Sequence, residues 1–200
     1  IPGISNRKRF CRYDISSKKK ISGKTVRLRC IEERDAEVTY VMRSDPEKSK
    51  YIHAMEGTVE DQKNYIRRMR EQLDNYLFVI ENMDGRVIGM KGLYHYDPTE
   101  RSVVSGQFLN FGSQIQSVEA LLLSFKFAFY TLRVSKIYMS VLEDNQNMYD
   151  IQKKFGAVPY QRSSNTSFGC ASIDSCLTLK AFQKSAPKIE SLLGRFTNRR

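Results

Sequence analysis

The sequence predicts a mixed α/β (α+β) fold, with a mostly antiparallel sheet of about six or seven strands and helices on both faces. Three β-type runs follow one another between residues 76 and 109, which predicts an antiparallel meander. The apolar helical segment 118–132 then separates the third run from another β-type run, residues 137–142. A strand–helix–strand unit of this kind predicts a parallel crossover, so the sheet should contain both orientations.

The first part of this fold is predicted to be one strand followed by two helices. Residues 25–31 alternate apolar and polar side chains, as a half-buried strand does. Residues 33–43 carry apolar side chains at helical spacing, and Pro46 should end that helix. Thr58 with Asp61 three residues later forms a capping-box pattern, which predicts the start of the second helix.

The meander and the last helix have clear local signals. Asp84-Gly85 is a hairpin turn signal between the runs 76–80 and 87–96. Asn145 is suited to cap a helix because its side-chain oxygen can accept a free backbone N–H. Apolar residues recur at helical spacing until Gly156, which favours the left-handed position just past a helix. Two short strands are predicted near residues 158–160 and 175–179.

The charge is unevenly distributed and predicts one domain with two extensions. Residues 1–27 hold nine Lys or Arg residues and one Asp, and therefore eight of the eleven net positive charges. We expect residues 1–23 to be a flexible basic extension, 24–184 the folded domain, and 185–200 a basic segment that could be helical. Because the folded part is only mildly basic, nucleic acid is not the expected partner, although binding through residues 1–27 stays an alternative.

Other compositional features exclude several classes of protein. No apolar run approaches the ~20 residues of a membrane helix, and the first twenty residues lack the apolar stretch of a secretory signal. The four cysteines show no CxxC spacing, so free thiols in the cytoplasm are expected. No cluster has metal-ligand spacing, so no metal is predicted. Formation of a homodimer stays open.

The segment 133–157 resembles a known motif. Its strand, its asparagine and its helix ending Lys154-Phe155-Gly156 are similar to those of the GCN5-related N-acetyltransferases, the GNAT superfamily. The resemblance covers roughly residues 24–180. It implies a GNAT-like sheet, acetyl-CoA as co-substrate, and direct acetyl transfer to a primary amine of a small molecule or to a protein N-terminus.

A second set of residues points to one branch of this superfamily. Leu28-Arg29, the run Asp35-Ala36-Glu37 and Arg43 look most like the branch of ribosomal-protein N-terminal acetyltransferases. Acetyltransferases acting on nucleotide-linked amino sugars resemble the chain similarly. An amino sugar or similar small amine is therefore the expected acceptor, with a peptide N-terminus close behind.

The resemblance also implies a cofactor site. The pyrophosphate of acetyl-CoA would bind backbone N–H groups where the helix of segment 118–132 begins, and Ser117 is expected to open that helix. Ile115 stands where the family has its central glycine, so two interpretations compete: altered CoA binding, or a non-catalytic interaction module with a degenerate loop. The implied cofactor contacts are Phe108, Leu109, Asn110, Ser113, Gln114, Ile115, Gln116, Ser117, Asn145 and Lys154.

The catalytic residues are harder to predict. In this superfamily a backbone N–H, here near Gln107–Leu109, meets the acetyl carbonyl, although a plain core strand explains that segment equally well. Many relatives have a tyrosine seven residues after the motif asparagine, where it acts as the general acid. This chain has Gln152 at that position, which cannot donate a proton as an acid. By sequence position alone, the candidate bases are His95, Glu143 and Tyr138. His95 is equally explained as a surface or core histidine, and Asn145 as a plain helix cap.

Overall fold

A computed structural model describes residues 20–52, 57–165 and 168–197 of the 200-residue chain. The predictions for residues 1–19, which hold most of the basic extension and Cys11, lie outside the described residues. Cys170 and Cys176 are free thiols. Among the described residues, no helix is both long and apolar enough to cross a membrane.

The order of elements follows the prediction closely. The strands are β1 Ile21–Ser22, β2 Val26–Cys30, β3 Tyr76–Asn82, β4 Val87–Asp97, β5 Ser102–Asn110, β6 Lys136–Leu142, β7 Val158–Asn165 and β8 Cys170–Thr178. The helices are α1 Ala36–Ser44, preceded by a 3₁₀ turn at Glu33–Asp35, α2 Pro46–Ser49, α3 Val59–Glu71, α4 Gln114–Lys126, α5 Gln146–Lys154 and α6 Leu179–Thr197.

The described strands form one mixed sheet in the order β1-β2-β3-β4-β5-β6-β8-β7. Neighbouring strands are antiparallel except β5 and β6, which are parallel and joined by α4. The predicted meander and crossover are therefore confirmed. The sheet has eight described strands rather than six or seven, because the short β1 pairs with β2.

Helices cover both faces of the sheet, and alternate residues of the central strands face opposite helical layers. Phe78 and Ile80 pack with α4, α5 and α6 on one face. Leu77 and Val79 pack with α1 and α3 on the other. We call these the α4 face and the α1 face.

The predicted caps explain where two helices begin and end. The side chain of Thr58 accepts from the amide of Asp61, and the Asp61 side chain accepts from the amide of Thr58. The Asn145 side chain accepts from the amide of Met148, at 3.2 Å. Gly156 has φ of +92°, the left-handed conformation that glycine adopts without a Cβ penalty.

Helix α4 begins at Gln114, three residues before the predicted opening at Ser117. The reason is a capping box: Ser113 and Gln116 each satisfy the amide of the other. The buried carboxylate of Glu119 accepts hydrogen bonds from the amides of Lys24 and Thr25, at 2.7 and 2.6 Å. This contact ties α4 to the start of β2 across the sequence.

Helix α6 crosses the expected domain boundary at residue 184. Phe182 on one side of that boundary and Ala186, Ile189 and Leu193 on the other are all buried in the core of the α4 face. Residues 185–197 are helical, and Ala186, Ile189 and Leu193 pack with the rest of the chain, whereas Leu192 and Phe196 are more than half exposed.

Arg29 lies at the centre of a buried ion cluster. Its guanidinium donates to both carboxylate oxygens of Asp35, at 2.7 and 2.8 Å, and its Nε donates to Glu81 at 2.7 Å. These contacts join β2, β3 and the turn before α1. Two residues that resembled an acetyltransferase branch, Arg29 and Asp35, therefore have a direct structural role.

Candidate active site

Strands β5 and β6 separate part of the way along their length. They pair in parallel from Ser102 with Lys136 to Ser105 with Met139. Beyond this point β5 continues to Asn110 and β6 to Leu142 without pairing to each other. The two strands thus leave a V-shaped gap at their carboxyl ends.

A cavity of about 270 Å³ occupies this gap. Residues from both helical layers line it, so it passes between the two faces of the sheet. Helix α2 and the chain after it contribute Lys48, Tyr51 and Ile52. Helices α4 and α5, with the cap of α5, contribute Leu121, Phe125, Asn145, Met148 and Gln152. The strands contribute Lys91 from β4, Ser105 to Phe108 from β5, and Met139 to Leu142 from β6.

Gln107 forms a β-bulge at the edge of this cavity. The β4–β5 register shifts from Gly92–Gly106 to Lys91–Phe108, which leaves Gln107 as the extra residue. Its φ is +40°, an uncommon conformation for a residue with a side chain. Tyr65 and Tyr94 hold it there, because both hydroxyls donate to the Gln107 side-chain oxygen. Backbone strain of this kind is concentrated at functional sites.

The start of α4 keeps two free backbone amides. The Gln116 amide donates to Ser113 Oγ, and the Ser117 amide donates to the Ser113 carbonyl at 3.0 Å. Within the described residues, the amides of Gln114 and Ile115 have no hydrogen-bond partner. A helix N-terminus with free amides can bind an anion, and here the donors lie before Ser117.

Ile115 does not obstruct this helix end. It lies in the first turn of α4, where a helical backbone suits it, and its side chain packs against the core of the α4 face. Gly112 lies beneath the Gln116 side chain, where a Cβ would come within 2.4 Å of the Gln116 oxygen. The Asn110 side chain braces this turn through Ser113, Ser117 and Gly112.

A second groove, of about 570 Å³, lies between the start of α4, the end of α5 and α6. Gln114 and Ile115 are among its lining residues. Its charged lining residues in the described chain are all basic: Lys153, Lys154, Lys184 and Lys188. The predicted contact Lys154 therefore lines the same groove as the two residues with free amides, together with three lysines that the sequence analysis did not single out.

Gln152 and Lys91 are the two unusual polar groups of the cavity. Gln152 is 7% exposed, and its Oε1 has no hydrogen-bond partner in the described structure. Lys91 is 1% exposed, and its Nζ donates to the carbonyls of Gly92 and Gly106 and to Ser105 Oγ, at 2.8–2.9 Å. Burial lowers the pKa of Lys91 to about 7. An unpartnered buried acceptor is uncommon enough to suggest a ligand donor.

The three predicted bases do not line the cavity. His95 lies at the end of β4 remote from the gap, because antiparallel pairing places Gly89 to Gly92, not His95, beside the separated part of β5; its side chain is 77% exposed. Tyr138 belongs to the paired part of β6 and packs edge-on against Tyr160.

Glu143 follows β6 and forms an ion pair with Arg162. The hydrogen bond from Arg162 lowers the pKa of the Glu143 carboxyl, which makes it a weaker base. Among the predicted cofactor contacts, Phe108 and Asn145 do line the cavity, whereas Leu109 is buried in the core of the α1 face. Among the described residues, no cluster of three or more acidic, His or Cys side chains could hold a metal.

Comparison with known proteins gives this geometry a family context. A family model described as an acetyltransferase (GNAT) domain matches residues 25–158. No curated protein matches the sequence.

Several solved structures share the fold. One described as apo FdhC, a nucleotide-linked sugar GNAT, has a TM-score of 0.75 at 22% identity, covering 88% of this chain and 98% of that one. A GCN5-related N-acetyltransferase from Brucella melitensis has a TM-score of 0.75 at 13% identity, covering 90% and 87%. Spermidine N-acetyltransferase from Vibrio cholerae, in complex with CoA and spermine, has a TM-score of 0.72 at 14% identity, covering 80% and 99%.

Proposed function

The chain belongs to the acetyltransferase (GNAT) family, and we propose that it transfers an acetyl group from acetyl-CoA directly to a primary amine of a small molecule. The observation that carries this proposal is the open gap between β5 and β6, with a cavity that passes from one helical layer to the other. Such a passage lets a cofactor approach from the α4 face while an acceptor approaches from the α1 face.

In this proposal the cofactor extends from the second groove into the gap. The amides of Gln114 and Ile115 bind the pyrophosphate, since a helix N-terminus is polarised to receive negative charge. The lysines of the groove face the 3′-phosphate, and the pantetheine arm passes between the separated strands. Gln152 Oε1 accepts a hydrogen bond from that arm, which satisfies the unpartnered oxygen.

The thioester then lies beside the Gln107 bulge. The acceptor nitrogen attacks the acetyl carbonyl carbon, the C–S bond breaks, and the amine loses a proton while the CoA sulfur gains one. The backbone N–H of Gln107 donates to the carbonyl oxygen as negative charge develops there, as in an oxyanion hole. Holding both reactants in one cavity makes the transfer effectively intramolecular.

The charge of the cavity bears on the class of acceptor. Its lining residues in the described chain include two lysines, Lys48 and Lys91, and no carboxylate. A polyamine carries several positive charges and would need acidic partners, whereas a nucleotide-linked amino sugar carries phosphates. We therefore favour an amino sugar linked to a nucleotide over a polyamine as the acceptor.

Calorimetric titration with acetyl-CoA tests the cofactor part of this proposal. The natural chain should bind acetyl-CoA with a Kd well below 1 mM. Gln152→Met, which keeps the side-chain volume and removes the unpaired oxygen, should weaken binding by about fivefold, the value of roughly one hydrogen bond. The variant should be at least as stable as the natural chain, because the oxygen that it loses has no partner. Absence of binding at millimolar acetyl-CoA would remove the proposal.

The position of the 3′-phosphate can be tested separately by comparing CoA with dephospho-CoA. The double variant Lys184→Ala/Lys188→Ala should lose about thirtyfold in affinity for CoA and little for dephospho-CoA, since each of the two charge-assisted contacts contributes about 1 kcal/mol. Lys180→Ala is the matched control on the same helix, because Lys180 is exposed and does not line the groove. Equal losses for both cofactors would place the 3′-phosphate elsewhere.

Acceptor class is tested by acetyl transfer to a panel of amines. A nucleotide-linked amino sugar should be acetylated with a kcat/KM at least tenfold above that of spermidine, and a peptide with a free N-terminus should fall between them. Preference for spermidine would contradict the charge argument and leave the cofactor proposal intact.

The alternative function, a non-catalytic interaction module, would require that the chain bind no acetyl-CoA despite the open gap.

A further inference from the structure

The strongest unexplained feature of the cavity is the buried Lys91. It lies in the middle of β4, opposite Phe78 of β3 and Phe108 of β5. These neighbours belong to the core of the α4 face, so Lys91 points into an apolar layer. Burying an ammonium group without a carboxylate is costly, and a Met of similar length would pack there at no such cost. Fold stability therefore does not account for this lysine.

The hydrogen bonds of Lys91 converge on the bulge. Its Nζ donates to the Gly106 carbonyl at 2.9 Å, and that carbonyl belongs to the same peptide group as the N–H of Gln107. The remaining two donors hold Gly92 across the register shift and Ser105, the last paired residue of β5. Two of the three contacts, those to Ser105 and Gly106, thus lie within two residues of Gln107 on β5. The third is to Gly92, which lies opposite Gly106 on β4.

The orientation of that peptide gives the contact a chemical consequence. The described peptide bonds are trans, so the Gly106 carbonyl and the Gln107 N–H point in opposite directions. A cation on the carbonyl oxygen polarises the peptide group and makes its N–H a stronger hydrogen-bond donor. The N–H is directed away from Lys91 and carries the increased positive charge.

We propose that Lys91 is a positioning residue of acetyl transfer: its ammonium holds the Gln107 bulge and polarises the Gly106–Gln107 peptide, so that the Gln107 N–H stabilises the developing charge on the acetyl oxygen. The inference rests on the proposed function, because the acetyl group must lie beside Gln107. It assigns the buried charge to the fixed surroundings of the transition state, where a preorganised dipole has its largest effect.

The surroundings of Lys91 fit this assignment. Among the described residues, the titratable side chains that share its cavity are Lys48 and Tyr51, both from the α2 side. Helices α4 and α5 present apolar side chains with Asn145 and Gln152. Tyr94 lies on the opposite face of β4 and contacts the Gln107 side chain. Burial is the cause of the lowered pKa of Lys91, so ammonium and amine are both populated near neutral pH.

A spectroscopic test needs no acceptor and no turnover. The probe is an acetyl-CoA analogue in which CH₂ replaces the thioester sulfur and the carbonyl carbon is ¹³C. Binding to the natural chain should move the carbonyl resonance downfield, because a hydrogen bond withdraws electrons from it. In Lys91→Met this shift should fall by at least half, while the Kd of CoA without an acetyl group changes less than threefold.

Lys48→Met is the matched control. Lys48 lines the same cavity, but its Nζ lies over the Phe111 ring, 5.9 Å from the ring centroid, and donates to no peptide carbonyl among the described residues. This variant should keep the full carbonyl shift.

In turnover, Lys91→Met should lower kcat about tenfold or more with little change in the KM for acetyl-CoA, as for a weakened oxyanion donor.

A full carbonyl shift in folded Lys91→Met would overturn the inference and leave the proposed function standing. If the natural chain fails to bind the probe, the proposed function falls and the inference with it. Should Lys91→Met not fold, the natural chain decides by itself: its carbonyl shift should decrease as pH rises through about 7. A shift independent of pH between 5.5 and 8.5 would overturn the inference. A dephospho form of the probe excludes titration of the 3′-phosphate as the cause.

Discussion

Two buried cations of the described chain, Arg29 and Lys91, have opposite surroundings. Arg29 is 4% exposed and pairs with the carboxylates of Asp35 and Glu81, whereas Lys91 is 1% exposed and contacts only uncharged oxygens in the described structure. The hydrogen bond to Asp35 raises the pKa of Arg29, and burial lowers that of Lys91 to about 7. Compensated charge joins elements of the fold, and uncompensated charge lies at the cavity between β5 and β6.

The largest effect is expected from breaking the compensated cluster. Arg29→Met leaves two buried carboxylates without their common partner and should lower the free energy of unfolding by about 3–5 kcal/mol. The control is Arg67→Met, which breaks the exposed pair with Glu33 and should cost less than about 1 kcal/mol. Urea unfolding at pH 7 measures both. Equal losses would mean that burial does not distinguish the two pairs.

The uncompensated cation, Lys91, should make the free energy of unfolding depend on pH. The folded-state pKa of Lys91 lies near 7 and the unfolded value near 10.5, so between these values the unfolded chain binds one more proton. The free energy of unfolding should therefore rise with pH, by roughly 1 kcal/mol per pH unit from pH 7 to 9. Lys91→Met should remove this slope, and an unchanged slope in that variant would contradict the assignment.

A carboxylate placed beside Lys91 should compensate its charge, as Asp35 and Glu81 do for Arg29. Ser105→Asp places a negative charge where Ser105 Oγ now accepts from Nζ at 2.8 Å. This should raise the pKa of Lys91 and flatten the stability slope between pH 7 and 9. It should also weaken acetyl-CoA binding several-fold by repelling a polyanion. Ser105→Asn is the uncharged control of equal size and should keep the slope.

The smallest effect is expected at the start of α4, where the proposed cofactor contacts are backbone amides and not a buried cation. Ile115→Gly should lower stability by about 1 kcal/mol through helix propensity and lost packing, and leave the Kd of CoA within twofold. Ile115→Ala separates packing from backbone freedom. A sharp improvement in CoA binding by Ile115→Gly would indicate that the natural loop has drifted, as the module hypothesis requires.

The site was only partly predictable. Cofactor contacts around Asn145 and in the loop before α4 were predicted because their signals are local in sequence, and as contacts they stay predictions. The candidate base His95 does not line the cavity, and only the strand register shows which end of β4 adjoins the gap. Lys91 carried no signal, because one lysine in an alternating strand usually faces solvent.

By itself the sequence determined the order of strands and helices, the caps at Thr58 and Asn145, the meander and the crossover, because hydrophobic period, turn and capping residues act over a few positions. The tertiary structure alone decided the bulge at Gln107, the gap after Ser105 and the burial of Lys91. These depend on the register between β4, β5 and β6 and on the helices packed over them. Such contacts join residues far apart in the chain, and no local pattern encodes them.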